Sequence, residues 1–339
     1  MGVIDNPRIV FFETTPEEEQ RLLELLQAYK PTFTREKLEE ETINLAKEAD
    51  IVSVFINSEI KADLLAQIPN LKLIATRSTG FDHIDVEAAK ERGISISNVP
   101  TYGSRSVAEF TFALMLTVSR KVFTARHQLL EGDNFDMTNL EGFDLFGKTL
   151  GVVGTGKIGK NVVKIARAFG MEVVTYDIYP DDNLAQEYGV EYLTLEELLK
   201  RSDIVTLHTP YNESTHHLIN ANNINLMKKG AVLINTARGE LVETDALLQA
   251  LTNSHLAGAG LDVLEAERPL KEELELIAKG GEGLKDWKTL YENQVLLDMP
   301  QVVVTPHIAF CSREAKHEIE QVTAENIEAF IAGKPQNQI

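Results

Sequence analysis

Three ionisable side chains each follow an apolar, strand-like run. Arg238 comes after AVLIN, Glu267 after LAGAGLDV and His307 after QVVVTP. A guanidinium can bind a carboxylate through two parallel hydrogen bonds, an imidazole can exchange a proton near neutral pH, and a carboxylate can hold the imidazolium form. The three together predict a site that binds an acidic substrate and moves a proton to or from its oxygen.

The pattern by itself leaves rivals for each role. His208 also follows a strand-like run, DIVTL, and competes with His307 for the acid/base role. Glu243 and Glu265 are not distinguished from Glu267 by residue type alone. An arginine in a polar loop is most often a solvated side chain. The three roles therefore remain a hypothesis at this point.

The stretch 149–177, TLGVVGTGKIGKNVVKIARAFGMEVVTYD, has the pattern of a strand, a helix and a second strand. Gly154 would allow the tight turn, Gly156 would let the backbone approach a pyrophosphate, and Gly159 would let the helix pack closely on the strand. A pyrophosphate would bind at the helix N-terminus, which favours anions. The stretch predicts a dinucleotide-binding unit; a purely structural glycine turn and a methyltransferase loop are the alternatives.

The second strand of this unit ends on Asp177. A carboxylate there accepts hydrogen bonds from the adenosine ribose and repels a 2′-phosphate by a free energy on the order of a few kcal/mol. Residues 178–182 contain no Arg or Lys that would attract such a phosphate. We therefore predict NAD, rather than NADP, as the cofactor.

Strand-like and helix-like patterns alternate over residues 8–100 and again over residues 149–304. This alternation predicts an α/β fold with two doubly wound parallel sheets, one in each of two domains, with a cleft between them. Ligands of such sheets bind at the carboxyl ends of the strands. Ser78, Thr79, Gly80 and Tyr102 follow strand-like runs and are predicted to lie there.

Two helical patterns flank this alternation. Residues 105–131 predict one long helix, apolar on most of its surface through Leu116 and therefore either a core helix or one that also contributes to a subunit interface. Residues 312–332 predict a final amphipathic helix that could return to the first domain. The segment 268–299 is less regular, with Gly280-Gly281 and the single tryptophan, Trp287.

The composition restricts the partners. A formal net charge of −19 argues against binding to nucleic acid or an anionic membrane surface, and no apolar run is long enough to span a bilayer. The N-terminal residues resemble no export signal, and the single cysteine, Cys311, excludes an intrachain disulfide, so we expect a cytoplasmic protein. The His216-His217 pair lacks further ligands, so no metal site is predicted.

Seven motifs, in this order, are similar to those of the D-2-hydroxyacid dehydrogenase family: STGFDHID, NVPTYGSRSVAEF, GTGKIG, HTP, NTARGELVETDAL, GAGLDVLEAE and VVVTPHIAF. The likeness extends over nearly the whole chain. It implies an NAD-dependent oxidoreductase that interconverts 2-oxo acids and D-2-hydroxy acids, which are small-molecule substrates. It also implies a flavodoxin-like substrate domain, residues 1–103 and 305–339, a Rossmann NAD-binding domain, residues 104–304, and a homodimer formed through the latter.

By this resemblance Arg238 binds and polarises the substrate, His307 is the acid/base and Glu267 is its partner. The residues implied to bind the cofactor are Gly154, Thr155, Gly156, Lys157, Ile158, Gly159, Asp177, His208, Thr209, Pro210, Thr236, Ala237 and Asp262. Those implied to bind the substrate are Ser78, Thr79, Gly80, Tyr102, Arg238 and Phe310. Lys157 stands where the family commonly has Arg, and it keeps the positive charge.

Within the family, the likeness is greatest to the D-lactate dehydrogenase branch. Tyr102, the long segment between Glu267 and His307, and Phe310 are similar to that branch. Reduction of pyruvate to D-lactate is therefore expected. The alternatives are a glyoxylate or hydroxypyruvate, hydroxyisocaproate or phosphite dehydrogenase and, from another class, an NAD-sensing binding protein without enzymatic activity.

Overall fold

The computed structural model describes residues 6–130, 135–267 and 287–339. The chain divides into two compact units, one formed by Met1–Tyr102 with Ser312–Ile339 and the other by Gly103–Cys311. The sequence places the second boundary at residue 305, whereas the structure places it at Ser312. The difference arises because the turn that follows the last strand is bonded to the second unit, as His307 N–H donates to the carbonyl of Asp262.

The first unit contains a five-stranded sheet in the order β2-β1-β3-β4-β5, and every strand pair is parallel. This is the strand order of the flavodoxin type of doubly wound sheet. The strands are β1 (Ile9–Phe11), β2 (Thr32–Phe33), β3 (Ile51–Val54), β4 (Leu73–Thr76) and β5 (Ser95–Ser97), and the helices are α1 (Pro16–Leu25), α2 (Ala62–Ala66), α3 (Val86–Glu91) and, from the C-terminal segment, α11 (Arg313–Ile331).

Helices α1 and α11 complete the core on one face of this sheet. Helix α1 begins at a capping box, in which Thr15 accepts from Glu18 N–H and the Glu18 carboxylate accepts from Thr15 N–H. Leu22 of α1 and Ile327 of α11 are both fully buried in one cluster with Phe11 of β1. The C-terminal helix is therefore part of the first unit, where burial of its apolar side stabilises it.

The second unit contains a seven-stranded parallel sheet in the order β12-β11-β10-β9-β6-β7-β8. Its strands are β6 (Thr149–Val153), β7 (Glu172–Tyr176), β8 (Glu191–Tyr192), β9 (Ile204–Leu207), β10 (Ala231–Asn235), β11 (Leu256–Leu261) and β12 (Val302–Val304). Its described helices are α4 (Ser104–Ser119), α5 (Val122–Leu130), α6 (Lys157–Ala168), α7 (Asp182–Tyr188), α8 (Leu195–Arg201), α9 (Thr244–Thr252) and α10 (Trp287–Asp298). Two parallel-sheet α/β domains are thus present, as predicted.

The strand order of the second sheet reverses between β6 and β9. These two strands are direct neighbours, with Leu150 paired to Ile204 and Val153 to Leu207. The loops that leave them run to opposite faces of the sheet, and the resulting crevice is where dinucleotides bind in doubly wound folds. The glycine loop follows β6 and His208 follows β9, so both lie at this switch point.

The prediction of one long helix over residues 105–131 is wrong. Helix α4 ends at Ser119 and α5 begins at Val122. Between them, Lys121 has φ = 50°, a left-handed conformation that does not continue an α-helix. Among the described residues no helix combines the length and apolar character that crossing a bilayer requires. The part of segment 268–299 up to residue 286, including Gly280-Gly281, lies outside the described residues.

Candidate active site

Each glycine of the loop after β6 has a different surrounding. Gly154 has φ = 92°, and a Cβ there would lie 2.8 Å from the backbone carbonyl carbon of His208. A Cβ on Gly159 would lie 2.0 Å from the carbonyl oxygen of Gly154, whereas a Cβ on Gly156 would meet nothing within 4 Å. Gly154 and Gly159 are therefore required by close backbone packing, and Gly156 borders open space that a ligand can occupy.

The polar groups around that space suit an anionic dinucleotide. Helix α6 begins at Lys157, directly after Gly156, so the N–H groups of its first turn point out of the helix towards the loop. The Nδ1 atom of His208 and the hydroxyl of Thr209 are buried and have no hydrogen-bond partner among the described residues. Unpaired buried donors and acceptors are costly without a ligand, and the residues therefore fit a bound dinucleotide.

Burial lowers the pKa of His208 from 6.5 to about 3. Its Nε2 atom lies 2.9 Å from the hydroxyl of Thr206 on β9. A ring that stays neutral at physiological pH can hydrogen-bond a ligand but does not act as a proton donor to a substrate. The lowered pKa of His208 therefore argues against it in the acid/base role, for which it competes with His307 in the sequence.

Asp177 at the end of β7 is held by the glycine loop. Its Oδ2 atom accepts from the N–H of Thr155 at 2.6 Å and from the Thr155 hydroxyl at 3.1 Å, and its Oδ1 atom accepts from the N–H of Tyr179 at 2.9 Å. The hydroxyl of Thr155 also lies 2.9 Å from that of Tyr192. These bonds fix the carboxylate at the switch point, and its remaining lone pairs suit a ribose diol.

One cation in this region escapes a sequence search. Lys160, on the first turn of α6, forms an ion pair with Asp181, and the hydrogen bond that its ammonium donates to this carboxylate raises the pKa of Lys160. Residues 178–182 include no basic residue, but helix α6 places Lys160 beside Asp181 of this segment. The only signal in the sequence would be the position of Lys160 on the face of α6 that carries Gly156, four residues earlier.

His307 and Glu267 form a close pair although they are 40 residues apart in the chain. The Nδ1 atom of His307 lies 2.8 Å from Oε1 of Glu267, and both side chains are partly buried. The backbone of His307 has φ = 55°, a left-handed conformation that costs free energy in a residue with a side chain. The contact with Glu267 restricts the imidazole ring to one orientation.

Asp262 supports the turn that carries His307. Its carboxylate accepts from the N–H groups of Ile308 and Ala309 at 2.9 and 2.7 Å and from the hydroxyl of Thr305 at 2.5 Å. The residue is 1% exposed, and this burial raises its pKa. Asp262 is predicted to bind the cofactor; the structure adds that both of its oxygens bind the His307 turn.

Arg238 follows β10 and precedes a short 3-10 helix, Gly239–Leu241. Its Nη1 atom donates to the carbonyl of Ala237 at 2.7 Å, and its own carbonyl accepts from the side chain of Asn235 at 2.7 Å. The guanidinium is therefore anchored close to its own backbone at the carboxyl end of the strand. The nearby hydroxyl of Thr236 lies 3.0 Å from that of Thr111 on α4.

In the first unit, the loop after β4 presents backbone donors. The hydroxyl of Ser78 donates to the carbonyl of Gly80 at 2.6 Å, and that of Thr79 donates to the carbonyl of Val99 at 2.7 Å. The backbone N–H groups of Ser78, Thr79 and Gly80 have no hydrogen-bond partner within the described ranges. Several adjacent free N–H groups form a concave site that suits an anion such as a carboxylate.

Arg77 lies immediately before this loop, and its side chain is buried. It is 1% exposed, and its guanidinium donates to the carbonyls of Phe12 and Glu13, each at 2.8 Å, and to the hydroxyl of Ser53 at 3.2 Å. Burial lowers its pKa. Arg77 thereby ties together the carboxyl ends of β1, β3 and β4, where the free N–H groups lie.

The remaining predicted residues lie at strand ends of their own units. Tyr102 is partly buried at the end of the first unit, while Pro210 and Lys157 are exposed in the second. Phe310 packs beside Gly103, where an added Cβ would lie 3.5 Å from Cβ of Phe310. The His307–Glu267 pair, Arg238 and the glycine loop thus belong to the second unit, and the loop of residues 78–80 belongs to the first.

Comparison with known proteins decides the family. The sequence profile described as D-isomer specific 2-hydroxyacid dehydrogenase, NAD binding domain, matches residues 112–309. The chain belongs to the D-isomer specific 2-hydroxyacid dehydrogenases. As a member of this family it is an NAD-dependent oxidoreductase, and the predicted cofactor is confirmed.

Similar members of the family come from distant organisms. The 2-hydroxyacid dehydrogenase homolog 2 of Schizosaccharomyces pombe is 39% identical, with 86% of each chain covered, and the glyoxylate reductase of Aeropyrum pernix is 37% identical, with 92% of this chain and 90% of the relative covered. The crystal structure of D-lactate dehydrogenase from Aquifex aeolicus, in complex with NAD and lactic acid, is 36% identical and superposes with a TM-score of 0.86 over 96% of each chain. Family members named for different substrates are thus similar to this chain.

Proposed function

We propose that this D-2-hydroxyacid dehydrogenase reduces pyruvate to D-lactate with NADH, and that Arg238, Glu267 and His307 carry the reaction. The observation that supports these roles is the 2.8 Å contact between Nδ1 of His307 and Oε1 of Glu267 in the unit that contains the glycine loop. The substrate is supported by the likeness, over 96% of each chain, to a D-lactate dehydrogenase in complex with lactic acid.

His307 is the proton donor in this proposal. With Nδ1 bonded to Glu267, the proton on Nε2 is the one available to the substrate oxygen. The carboxylate of Glu267 stabilises the imidazolium before transfer, and its fixed position saves the cost of orienting the ring during the reaction. General acid catalysis of this kind is worth roughly 10² to 10⁴ in rate.

Arg238 neutralises charge on the substrate. Its planar guanidinium, anchored by the Ala237 carbonyl, can donate to the carboxylate and to the carbonyl oxygen of a 2-oxo acid. Negative charge develops on that oxygen during reduction, and a preorganised cation stabilises it. The free N–H groups of residues 78–80 would bind the substrate carboxylate.

NADH supplies the hydride for C2 of the substrate when it is bound. Asp177 would hold the adenosine ribose, and the N–H groups at the start of α6 would hold the pyrophosphate. His208 and Thr209 would offer their unpaired polar atoms to the dinucleotide. Asp262, Thr236 and Ala237 lie at the ends of β10 and β11, where the nicotinamide would be placed by the geometry of doubly wound sheets.

Reduction of glyoxylate or hydroxypyruvate is the second candidate. It is favoured by the glyoxylate reductase of Aeropyrum pernix, at 37% identity. Tyr102 and Phe310 would choose between substrates, since bulky aromatic side chains at a substrate pocket restrict the size of the group on C2. Pyruvate carries a methyl group there and glyoxylate a hydrogen.

The experiment that tests these proposals is NADH oxidation with a panel of glyoxylate, hydroxypyruvate, pyruvate, oxoisocaproate and phenylpyruvate. A maximum of kcat/KM at pyruvate, with D-lactate as the product, supports the proposed substrate, whereas a maximum at another acid overturns it and retains the mechanism. His307→Gln should lose at least about 10² in kcat. Tight NADH binding without turnover of any acid would instead support an NAD-sensing protein.

We also propose that the protein is a homodimer formed through the NAD-binding unit. Apolar side chains on and after α5 are exposed, including Phe123 at 52%, Leu130 at 66%, Phe135 at 93% and Met137 at 83%. Exposed apolar surface of this extent in a monomer marks an interaction site. Sedimentation equilibrium tests this: a dimer is expected, and Phe123→Glu with Phe135→Glu should convert it to a monomer. A wild-type monomer at micromolar concentration would contradict the proposal.

A cytoplasmic location is proposed as well. It is supported by the single, exposed Cys311, because a chain with one cysteine cannot form the intrachain disulfides that are typical of oxidising compartments. Fractionation of the producing cells with an antibody to the protein tests this location. Recovery of the protein in the cytosolic fraction is expected, and recovery in an exported or membrane fraction would overturn it.

A further inference from the structure

Glu265, two residues before Glu267, is the centre of a hydrogen-bond network that the proposed reaction does not use. Its Oε1 atom lies 2.8 Å from Nε2 of His217, and its Oε2 atom accepts from the hydroxyl of Thr244 at 2.7 Å. His217 belongs to the loop after β9, and Thr244 is the first residue of α9. One carboxylate thus joins two separate segments to the loop that carries Glu267.

The backbone of that loop is held as well. Asn293 of α10 is fully buried and donates to the carbonyl of Glu265 at 2.7 Å. Gly239 approaches from the Arg238 loop so closely that a Cβ there would lie 2.0 Å from the carbonyl carbon of Leu264. The loop is therefore fixed on one side by α10 and on the other by the segment that carries Arg238.

The reason to fix the loop is its strained conformation. Ala266 lies between the two glutamates and has φ = 56°. This left-handed conformation is unfavourable for a residue with a Cβ and persists only where surrounding contacts enforce it. If Ala266 relaxed to an extended conformation, the Cα–Cβ direction of Glu267 would change and its carboxylate would leave His307.

We propose that Glu265 is a positioning residue: by binding His217 and Thr244 it holds Ala266 in the left-handed conformation that places Glu267 against His307. The proposal rests on the proposed role of Glu267 as partner of His307. It assigns the two neighbouring glutamates different tasks. Glu267 touches the acid/base residue, and Glu265 keeps the geometry of that contact constant through turnover.

The test compares Glu265→Ala with a matched carboxylate variant, Glu243→Ala. Glu243 precedes α9 and accepts from the N–H of Ala221 at 2.8 Å, and its side chain has no hydrogen bond to residues 264–267 among the described residues. We expect kcat to fall about tenfold or more in Glu265→Ala, because misplacement by an ångström has such effects, with the NADH dissociation constant unchanged. Glu243→Ala should retain kcat within about twofold.

A spectroscopic readout separates positioning from general loss of stability. An imidazole N–H bonded to a carboxylate gives a far-downfield proton resonance, assigned here to His307 by its loss in His307→Gln. We expect the resonance to disappear in Glu265→Ala as it does in Glu267→Ala, and to persist in Glu243→Ala. Adding Ala266→Gly to Glu265→Ala should restore part of kcat, because glycine adopts φ = 56° without strain.

Two controls keep the result decisive. If Glu265→Ala does not fold, Thr244→Val removes one hydroxyl donor at nearly constant volume and should weaken the same resonance and lower kcat by about twofold or more. Unchanged kcat and an unchanged resonance in a folded variant of either kind would overturn the proposal. If Glu267→Ala and His307→Gln themselves keep full turnover, the proposed function fails; if they lose it while Glu265→Ala does not, only this inference fails.

Discussion

Arg21 and Glu320 are 299 positions apart and form a two-point ion pair that joins α1 to α11. The Nη2 atom of Arg21 donates to Oε1 of Glu320 at 2.6 Å, and its Nε atom donates to Oε2. The glutamate side chain is 2% exposed and that of the arginine 33%. The hydrogen bond to Glu320 raises the pKa of Arg21. The pair fastens the C-terminal helix to the first unit.

Removal of the arginine should therefore leave a buried charge. We predict that Arg21→Met lowers the free energy of unfolding by about 2–3 kcal/mol, since loss of one partner of a buried pair is costly but this arginine is partly exposed. The double variant Arg21→Met with Glu320→Gln should lose less than the sum of the two single changes. Urea unfolding of all four proteins measures the coupling, and additive losses would contradict it.

Asp177 and Asp181 should together exclude NADPH. Asp177→Ala removes the carboxylate that repels a 2′-phosphate, and adding Asp181→Asn releases Lys160 from its ion pair. We predict a rise of about tenfold or more in the ratio of kcat/KM for NADPH to that for NADH in the first variant, because tenfold corresponds to only about 1.4 kcal/mol. A further rise is expected in the double variant.

The added effect of Asp181→Asn should depend on the lysine. Lys160→Ala in the double variant is therefore the control, and it should return the NADPH ratio to that of Asp177→Ala alone. Steady-state kinetics with both cofactors measure this. An Asp177→Ala enzyme with unchanged cofactor preference would exclude the proposed ribose contact.

Gly156 and Gly159 should respond differently to the same substitution. Gly159→Ala places a methyl group 2.0 Å from the carbonyl oxygen of Gly154, so we predict a loss of about 2 kcal/mol in unfolding free energy. Gly156→Ala meets no atom within 4 Å, so stability should be nearly unchanged while the NADH dissociation constant rises about tenfold. Thermal unfolding and NADH fluorescence titration measure the two effects. Equal Tm losses in both variants would show that Gly156 serves packing instead.

His208 should make the second unit sensitive to acid. Its pKa is lowered from 6.5 to about 3 by burial. The neutral form therefore stabilises the folded state fully above pH 6.5, and this contribution is lost as the pH falls towards 3. Between pH 7 and pH 5 the loss should be about 2 kcal/mol.

The comparison that isolates this effect is wild type against His208→Gln. Urea unfolding at both pH values should show the wild type losing about 2 kcal/mol more than the variant on acidification, because glutamine does not titrate. Parallel losses in the two proteins would mean that His208 does not carry the effect.

The sequence predicts much of this architecture because each local signal agrees with the fold. The alternating apolar runs, the three glycines and the acid at residue 177 all specify a βαβ unit, and the structure has that unit at residues 149–177. The sequence pattern does not predict the break at Lys121, because no glycine or proline marks it. A left-handed lysine there is enforced by tertiary contacts, such as its side-chain bond to the carbonyl of Asn139.

Contacts between residues distant in the chain are less accessible to sequence reasoning. Residue type does not distinguish Glu243, Glu265 and Glu267. The family resemblance selects Glu267 as the partner of His307, and the fold shows that contact and the separate contact of Glu265 with His217. The hydrogen bond of the buried Arg77 guanidinium to Phe12 and the ion pair of Lys160 with Asp181 are likewise visible only in the folded structure. Residue type indicates what a side chain can do, and packing decides which one does it.

The return of α11 to the first unit has a consequence for the order of folding during synthesis. Ile327 and Phe330 share one core cluster with Phe11 and Leu22, so the core of the first unit is incomplete until the ribosome has translated α11. The second unit is continuous from Gly103 to Cys311 and can condense earlier, since domains fold as their residues emerge. The N-terminal strands would then lack that helix for roughly tens of seconds, at about 5–20 residues translated per second, and their apolar side chains would be open to chaperone binding during that time.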